Sequence, residues 1–341
     1  MNKEEQKESE IPYHFSVRTD LAVEANELLA DEQETSEYDG IDVSEEEHLD
    51  KKIKLTWVKV SSENGAKALG KPIGNYITLE SDAMKENDLE THEEIAKILA
   101  QKMGKLVQLK KNAVILVVGL GNWNVTPDAL GPKVVSKILV TRHIADSLPE
   151  DLEGNVRPVS AIAPGVMGLT GIETVEIVRG VVDRVKPDLV VAIDALAARR
   201  TSRINATIQM SDTGVNPGSG VGNRRLGLNE ETLGAPIIAI GVPTVVDAAT
   251  LVNDTMDRML ASMAQQAPKG TEFYQMLINL ADEEKYQLIA EILNPYTGNM
   301  FVTPKEVDAV IERLAGIIAN ALNMALHPGI RAENFNRYLD A

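Results

Sequence analysis

The spacing of apolar side chains changes character along the chain. In "KIKLTWVKV" (52–60), Ile53, Leu55 and Trp57 alternate with polar neighbours, the period of a strand with one buried face. "NYITLE" (75–80) is expected to pair with it. In "HEEIAKILAQKM" (92–103) the apolar positions become Ile95, Ile98, Leu99 and Met103, a helix face expected to stop at Gly104. The centre is different. "AVILVVGLG" (113–121) and "DLVVAIDAL" (188–196) are almost continuously apolar, as in strands buried on both faces, and "VRPVSAIAPG" (156–165), "INATIQM" (204–210) and "APIIAIGVP" (235–243) read as further strands. Helical stretches are expected at 129–146, along a face of Ile172, Val175, Val178, Val182 and Val185, and at 246–263. This β-α-β-α rhythm predicts an α/β fold, with a largely parallel central sheet flanked by helices and a small β region added before it. The last third reads as helical. Thr303, Pro304 and Glu306 predict a cap for a C-terminal helix running to about Leu326.

Charge divides the chain unevenly. Residues 1–50 hold 17 acidic and 3 basic side chains, and the remaining 291 residues hold 34 and 31. A nearly neutral body therefore carries an acidic arm, expected to be solvated tail, including residues 36–50. The overall net charge of −17 and 4% aromatic content argue against nucleic-acid binding, which needs a basic face or stacking platforms. With no cysteine there is no disulfide, thiolate metal site or cysteine nucleophile, which fits a cytosolic protein. No apolar run is long enough to predict a membrane span, and no secretion signal is seen at the N-terminus.

Sites in open α/β sheets form outside the carboxyl ends of the strands. Asp194 ends the apolar run "LVVAI", where a carboxylate is costly to bury unless it is paired, hydrogen-bonded or used. A structural role, capping the next segment or pairing with Arg199 or Arg200, is equally open. Asp128 follows "GLGNWNVTP" and precedes a helix, a place that also favours a carboxylate for purely local reasons. If the two converge, one keeps a proton, and the pair supplies a general base for water and a general acid for a leaving amine. There is no HExxH and no GxSxG, and the five histidines read as surface or packing residues. The glycine-rich loop 211–225 has no phosphate-binding pattern, although Arg224 and Arg225 within it offer charge for an anion such as a substrate carboxylate.

"FSVRTDLAVEA", "VVGLGNWNVTPDALGP", "IAPGVMGLTGIETVEIV", "VVAIDALAARR", "SDTGVNPGSGVGNRR" and "GVPTVVDAATLV", in this order, resemble the germination proteases of spore-forming Firmicutes from about Phe15 to the C-terminal helix. The resemblance implies an atypical aspartic endopeptidase with a phosphorylase/hydrolase-like α/β fold related to the hydrogenase maturation endopeptidases. It places the two essential aspartates on Asp128 and Asp194. It implies small acid-soluble spore proteins as substrates, a homotetramer, and action in the cytoplasm of the forespore and in the spore core. The maturation endopeptidases use nickel with a histidine; no matching histidine is seen here, so no metal or other cofactor is expected. Members of the family are made as zymogens and cut proteins after Glu in Glu-(Ile/Phe)-Ala-Ser-Glu. Asp20-Leu21-Ala22-Val23-Glu24 follows the same plan, with Asp for the first Glu and Val for Ser. The expected cut between Asp20 and Leu21 would make residues 1–20 an acidic propeptide and 21–341 a single catalytic domain. Arg199, Arg200, Arg224 and Arg225 are candidates to bind the acids flanking the cut. The alternative for residues 18–30 is a short amphipathic helix packed on the body. For the whole chain, the alternatives are a metal-dependent maturation endopeptidase, with a third ligand beside the aspartates, and a non-catalytic module using the 214–225 loop for an anion.

Overall fold

The computed structural model describes residues 19–33, 38–50, 52–147, 156–217, 226–266, 271 and 300–329. The apolar runs become strands of one sheet: β1 (Ile41–His48), β2 (Ile53–Val60), β3 (Gly74–Glu80), β4 (Ile115–Gly119), β5 (Val159–Ile162), β6 (Leu189–Ala198), β7 (Thr207–Ser211), β8 (Ile237–Asp247) and β9 (Phe301–Val302). Their order is β1-β2-β3-β7-β8-β6-β4-β5, with β9 against β8. The helices are α1 (Ala22–Gln33), α2 (Glu63–Leu69), α3 (Leu89–Leu106), α4 (Leu130–Val135), α5 (Met167–Thr170), α6 (Thr174–Val185), α7 (Glu230–Leu233), α8 (Ala248–Gln266) and α9 (Val307–Leu326).

Alternate residues of the central strands serve opposite faces. Leu189, Val191 and Ile193 of β6 pack with Ile208, Met210, Ile238 and Ile240 under α3, α4 and α9. Val190 and Ala192 turn the other way, with Leu116, Val118 and Ile237, toward Val175, Val178 and Val182 of α6 and Leu233 of α7. Burial on both faces is why these strands read as continuous apolar runs. By length and composition α9 is apolar enough to cross a membrane, but 61% of its most apolar stretch is buried in this core.

Several expectations are corrected. The sheet is mixed rather than largely parallel: only β5, β4, β6 and β8 run parallel, and β7 is antiparallel to β8. Only residues 199–206 connect β6 to β7, too few for the crossover that would bring β7 back parallel to β6 and β8. The small β region is continuous with the main sheet through the β3–β7 pairing. Residues 41–48 are not tail but an edge strand paired with β2, and their acids serve there: Glu45 meets Lys54 at 2.7 Å and Glu46 meets Lys102 at 2.6 Å. An edge lined with charge discourages pairing with another chain.

The helix ends also move. α3 runs through Gly104 to Leu106, and Asp88 caps its start by accepting from the Thr91 N–H at 3.1 Å. The expected helix 129–146 breaks after α4. There the Asn323 side chain of α9 takes the Leu139 N–H and donates to the Lys137 carbonyl, replacing helical partners. Ile172 lies exposed before α6. Thr303 caps nothing: its hydroxyl donates to the Thr244 carbonyl at 2.9 Å, and α9 starts at Val307.

His327 follows α9 and is fully buried, donating from Nε2 to the Leu139 carbonyl at 3.0 Å. Burial pushes its pKa down to about 4; the Leu139 bond opposes this and the Arg157 charge adds to it. The folded protein thus holds His327 neutral where the unfolded chain is protonated. This contribution to stability is complete above pH 6.5 and is lost as the pH falls toward 4. It amounts to about 3 kcal/mol over that window. The stability difference between wild type and His327→Gln, measured by urea unfolding at pH 7 and pH 4, is expected to change by that amount, wild type losing more on acidification.

Candidate active site

Asp194 sits on the α6 side of β6 and is only 6% exposed. Its Oδ1 accepts from the Ala195 N–H at 3.0 Å. β6 does not end at Asp194, as expected, but runs on to Ala198, because β8 extends beside it as far as Asp247. Asp128 closes a 3-10 turn (Thr126–Asp128) between β4 and α4, and its Oδ2 accepts from the Asn122 N–H at 2.8 Å. β4 and β6 are parallel neighbours, Gly119 paired with Ile193, and the turn packs on β6 and β8. Both carboxylates therefore stand at the same carboxyl edge of the sheet.

The chain's own residues 19–24 occupy the extension of β6. Asp20 Oδ2 accepts from the Ala197 N–H at 3.1 Å. Leu21 and Val23 cluster with Leu196, while Ala22 joins Val58, Val60 and Tyr76. Leu21 and Ala22 are fully buried, Val23 nearly so, and each larger apolar side chain contributes about 1.5–3 kcal/mol to holding the segment. Residues 22–33 form α1, so the expected short helix is present, starting at Ala22. Lys71 Nζ donates to the carbonyls of Thr19 and Asp20, both at 3.0 Å. Gln209 donates from Nε2 to the Asp20 carbonyl at 3.1 Å and accepts the Ala22 N–H on Oε1 at 2.6 Å.

Glu24 is 1% exposed and is gripped mainly by backbone. Its two oxygens accept from the Arg199 N–H at 2.8 Å and the Arg200 N–H at 2.9 Å, and the Thr19 hydroxyl also donates to it. Thus Arg199 and Arg200 do meet the acid after the expected cut, but through main-chain donors. The guanidinium that does so belongs to Arg203, which the sequence did not single out. It lies 3.5 Å from Glu24, makes a bidentate pair with Glu27 (2.8 and 2.7 Å) and holds Glu80 at 2.7 Å. Burial works to lower the Arg203 pKa, but hydrogen bonds to Glu27 and Glu80 outweigh it and raise it. For Glu27, burial works upward and Arg203 prevails, holding its carboxyl below the usual value. The stability from this pair is complete above about pH 4.5 and is lost as the pH falls through the lowered Glu27 pKa. Arg224, Arg225 and residues 1–18 lie outside the described residues. Among the described residues no group of three His, Cys, Asp or Glu side chains is placed to hold a metal.

Sequence comparison covers nearly all of this architecture. The germination protease family, Peptidase_A25, matches residues 20–277 and 261–339. A germination protease of Caldanaerobacter subterraneus subsp. tengcongensis is 52% identical over 325 residues, 95% of this chain and 98% of the relative. One from Bacillus subtilis (strain 168) is 45% identical over 368 aligned positions, 97% and 99% of the two chains. Among solved structures, the NiFe hydrogenase maturation protease HycI from Thermococcus kodakarensis KOD1 is 20% identical with a TM-score of 0.31, covering 65% of this chain and 98% of its own. With Asp128, Asp194 and residues 20–24 all inside the matched region, this chain belongs to the germination protease family and is an endopeptidase.

Proposed function

We propose that this protease is a zymogen that removes residues 1–20 by cutting its own Asp20–Leu21 bond and then degrades small acid-soluble spore proteins during germination. Residues 21–341 form its single catalytic domain. Asp128 and Asp194 are the catalytic pair: one takes a proton from a water as it attacks the carbonyl carbon, and the other protonates the departing nitrogen. A coupled pair shares its titration, so the two roles belong to the pair. The observation that carries this reading is the seat of Asp20, hydrogen-bonded to Ala197 on the strand that carries Asp194. The segment 20–24 is then a built-in substrate, its first acid held by the Ala197 N–H and its last by Arg199, Arg200 and Arg203. We place the active enzyme in the forespore cytoplasm and spore core as a homotetramer.

Activation by mild acid would require a trigger other than the Arg203–Glu27 pair, which stays charged above about pH 4.5. The decisive measurement is intact mass and N-terminal sequencing of the purified full chain after incubation at falling pH, with and without a chelator. Loss of residues 1–20 leaving Leu21 first, equally with and without the chelator, is the expected result. Cleavage that the chelator abolishes would favour a metal-dependent maturation endopeptidase. An unchanged chain at every pH would remove the built-in substrate.

A further inference from the structure

Two side chains outside the aspartate pair converge on one oxygen. Lys71 Nζ and Gln209 Nε2 lie 3.0 and 3.1 Å from the carbonyl oxygen of Asp20. Neither is near Asp20 in sequence: Lys71 follows the Gly70 cap of α2, and Gln209 is in β7. The same Gln209 accepts the Ala22 N–H, so one amide grips the chain on both sides of the Asp20–Leu21 bond. Resting on the reading that this bond is the one cut, we propose that Lys71 and Gln209 are catalytic residues that bind the oxygen of the reacting carbonyl and stabilise the negative charge it gains when water adds.

The sheet explains how they reach the site. Gln209 pairs with Gly241, and Gly241 pairs with Asp194, so the three lie in one row across β7, β8 and β6 and face the same side. Gly241 leaves the middle of that row free of a side chain. A Cβ there would stand 2.4 Å from Leu196, which lies over the glycine and against Leu21. A cavity of about 170 Å³ opens beside the bond, lined by Asp20, Lys71, Tyr76, Leu196, Gln209 and Gly241. Gln209 is 8% exposed and Lys71 is half-buried, so water competes little for the Gln209 donor and less than in solution for the ammonium. Burial lowers the Lys71 pKa, with the charges of Asp20 and Glu24 pulling the other way.

The step balances without any further reactant. The oxygen of water bonds to the Asp20 carbonyl carbon as the aspartate pair takes its proton. The carbonyl π pair moves onto the oxygen held by Lys71 and Gln209. Collapse breaks the bond to the Leu21 nitrogen, which receives a proton from the pair, leaving a carboxylic acid and an amine. Donors aimed at the oxygen that becomes charged act mainly in the transition state, and removing one lowers the rate about 100- to 1,000-fold.

The test uses the full chain and follows self-cleavage by mass in wild type, Lys71→Met, Lys71→Arg, Gln209→Glu and Asp194→Asn. Gln209→Glu keeps an acceptor for Ala22 and turns the donor into a carboxylate oxygen, which cannot donate when ionised and adds a negative charge beside Lys71. Hydrogen exchange at residues 21–25 is measured in parallel, because a group that merely docks the segment would change it. The expected result is a rate at least about 100-fold lower in Lys71→Met and in Gln209→Glu with exchange protection unchanged, and partial recovery in Lys71→Arg. Cleavage at the wild-type rate in Lys71→Met and Gln209→Glu, or a loss of rate matched by a loss of protection, overturns the proposal. If Lys71→Met does not fold, Gln209→Glu decides. Cleavage by Asp194→Asn would instead sink the aspartate mechanism, whatever Lys71 does, and a wild type that never cuts at Asp20–Leu21 overturns both.

Discussion

Asp194→Asn is expected to lower hydrolysis of both the internal bond and added peptide substrates at least about 1,000-fold while leaving the protein folded. Removing a general acid or base alone costs about 100- to 10,000-fold. On the proposed mechanism the two carboxylates share one proton, so losing one member also takes away the charge that sets its partner's titration, and the upper part of that range applies. The fold should tolerate the change. Asparagine has the same shape, and its side-chain oxygen can still accept the Ala195 N–H that Asp194 Oδ1 accepts. Asp128→Asn should behave alike, because the Asn122 N–H needs only an acceptor. The double variant should be scarcely slower than either single one, since groups that act as a unit are not additive. Rates by mass spectrometry and melting temperatures for the three variants check this. Two single losses that multiply in the double variant would mean that the aspartates act separately.

What the sequence made legible follows from how local each signal is. β4 and β6 stood out because a strand buried on both faces must be apolar at nearly every position. Asp194 stood out because it interrupts such a run, and Asp128 because it follows one. β1 was missed because an edge strand exposes most of its side chains, so Ser44, Glu45, Glu46 and Glu47 look like tail. The strand directions were missed because β7 resembles any short apolar strand, and its antiparallel course is fixed by a short connection and by its partner.

The same limit hid part of the site. Gln209 is one polar residue in "INATIQM", and only the β7-β8-β6 order puts it in register with Asp194. Lys71 is one lysine among many until α2 brings it to the Asp20 carbonyl. Arg203 did carry a faint signal, a third arginine shortly after Arg199 and Arg200, and its partners Glu27 and Glu80 are distant in sequence. Residues 20–24 were visible both as a substrate-like pattern and as a helix start, and in the structure the two descriptions meet: the pattern is docked and α1 grows from it.

Gly131→Ala should damage both the fold and the site, although it adds one methyl group. Gly131 lies in α4 where the helix crosses β4 and β6. A Cβ there would stand 2.3 Å from the Leu120 carbonyl oxygen, 2.5 Å from its nitrogen and 2.7 Å from the Ile193 carbonyl oxygen. All three are backbone atoms, and the Leu120 N–H donates to the Ile193 carbonyl at 2.8 Å directly beneath. No rotamer change can relieve the clash, so α4 must lift from the sheet at a cost of about 3 kcal/mol or more. That corresponds to a melting temperature lower by roughly 5 °C or more. Asp128 lies three residues before Gly131, in the turn that α4 continues, so lifting the helix moves it away from β6. Self-cleavage should therefore slow even at temperatures where the variant remains folded. Gly180→Ala is the matched control. Gly180 is an exposed interior residue of α6 with nothing near a Cβ, so the same methyl group there should raise stability by about 0.5–1 kcal/mol and leave activity unchanged. Thermal melts of the two variants should move in opposite directions. If Gly131→Ala melted with wild type, α4 would not be seated closely enough on the strands to fix Asp128.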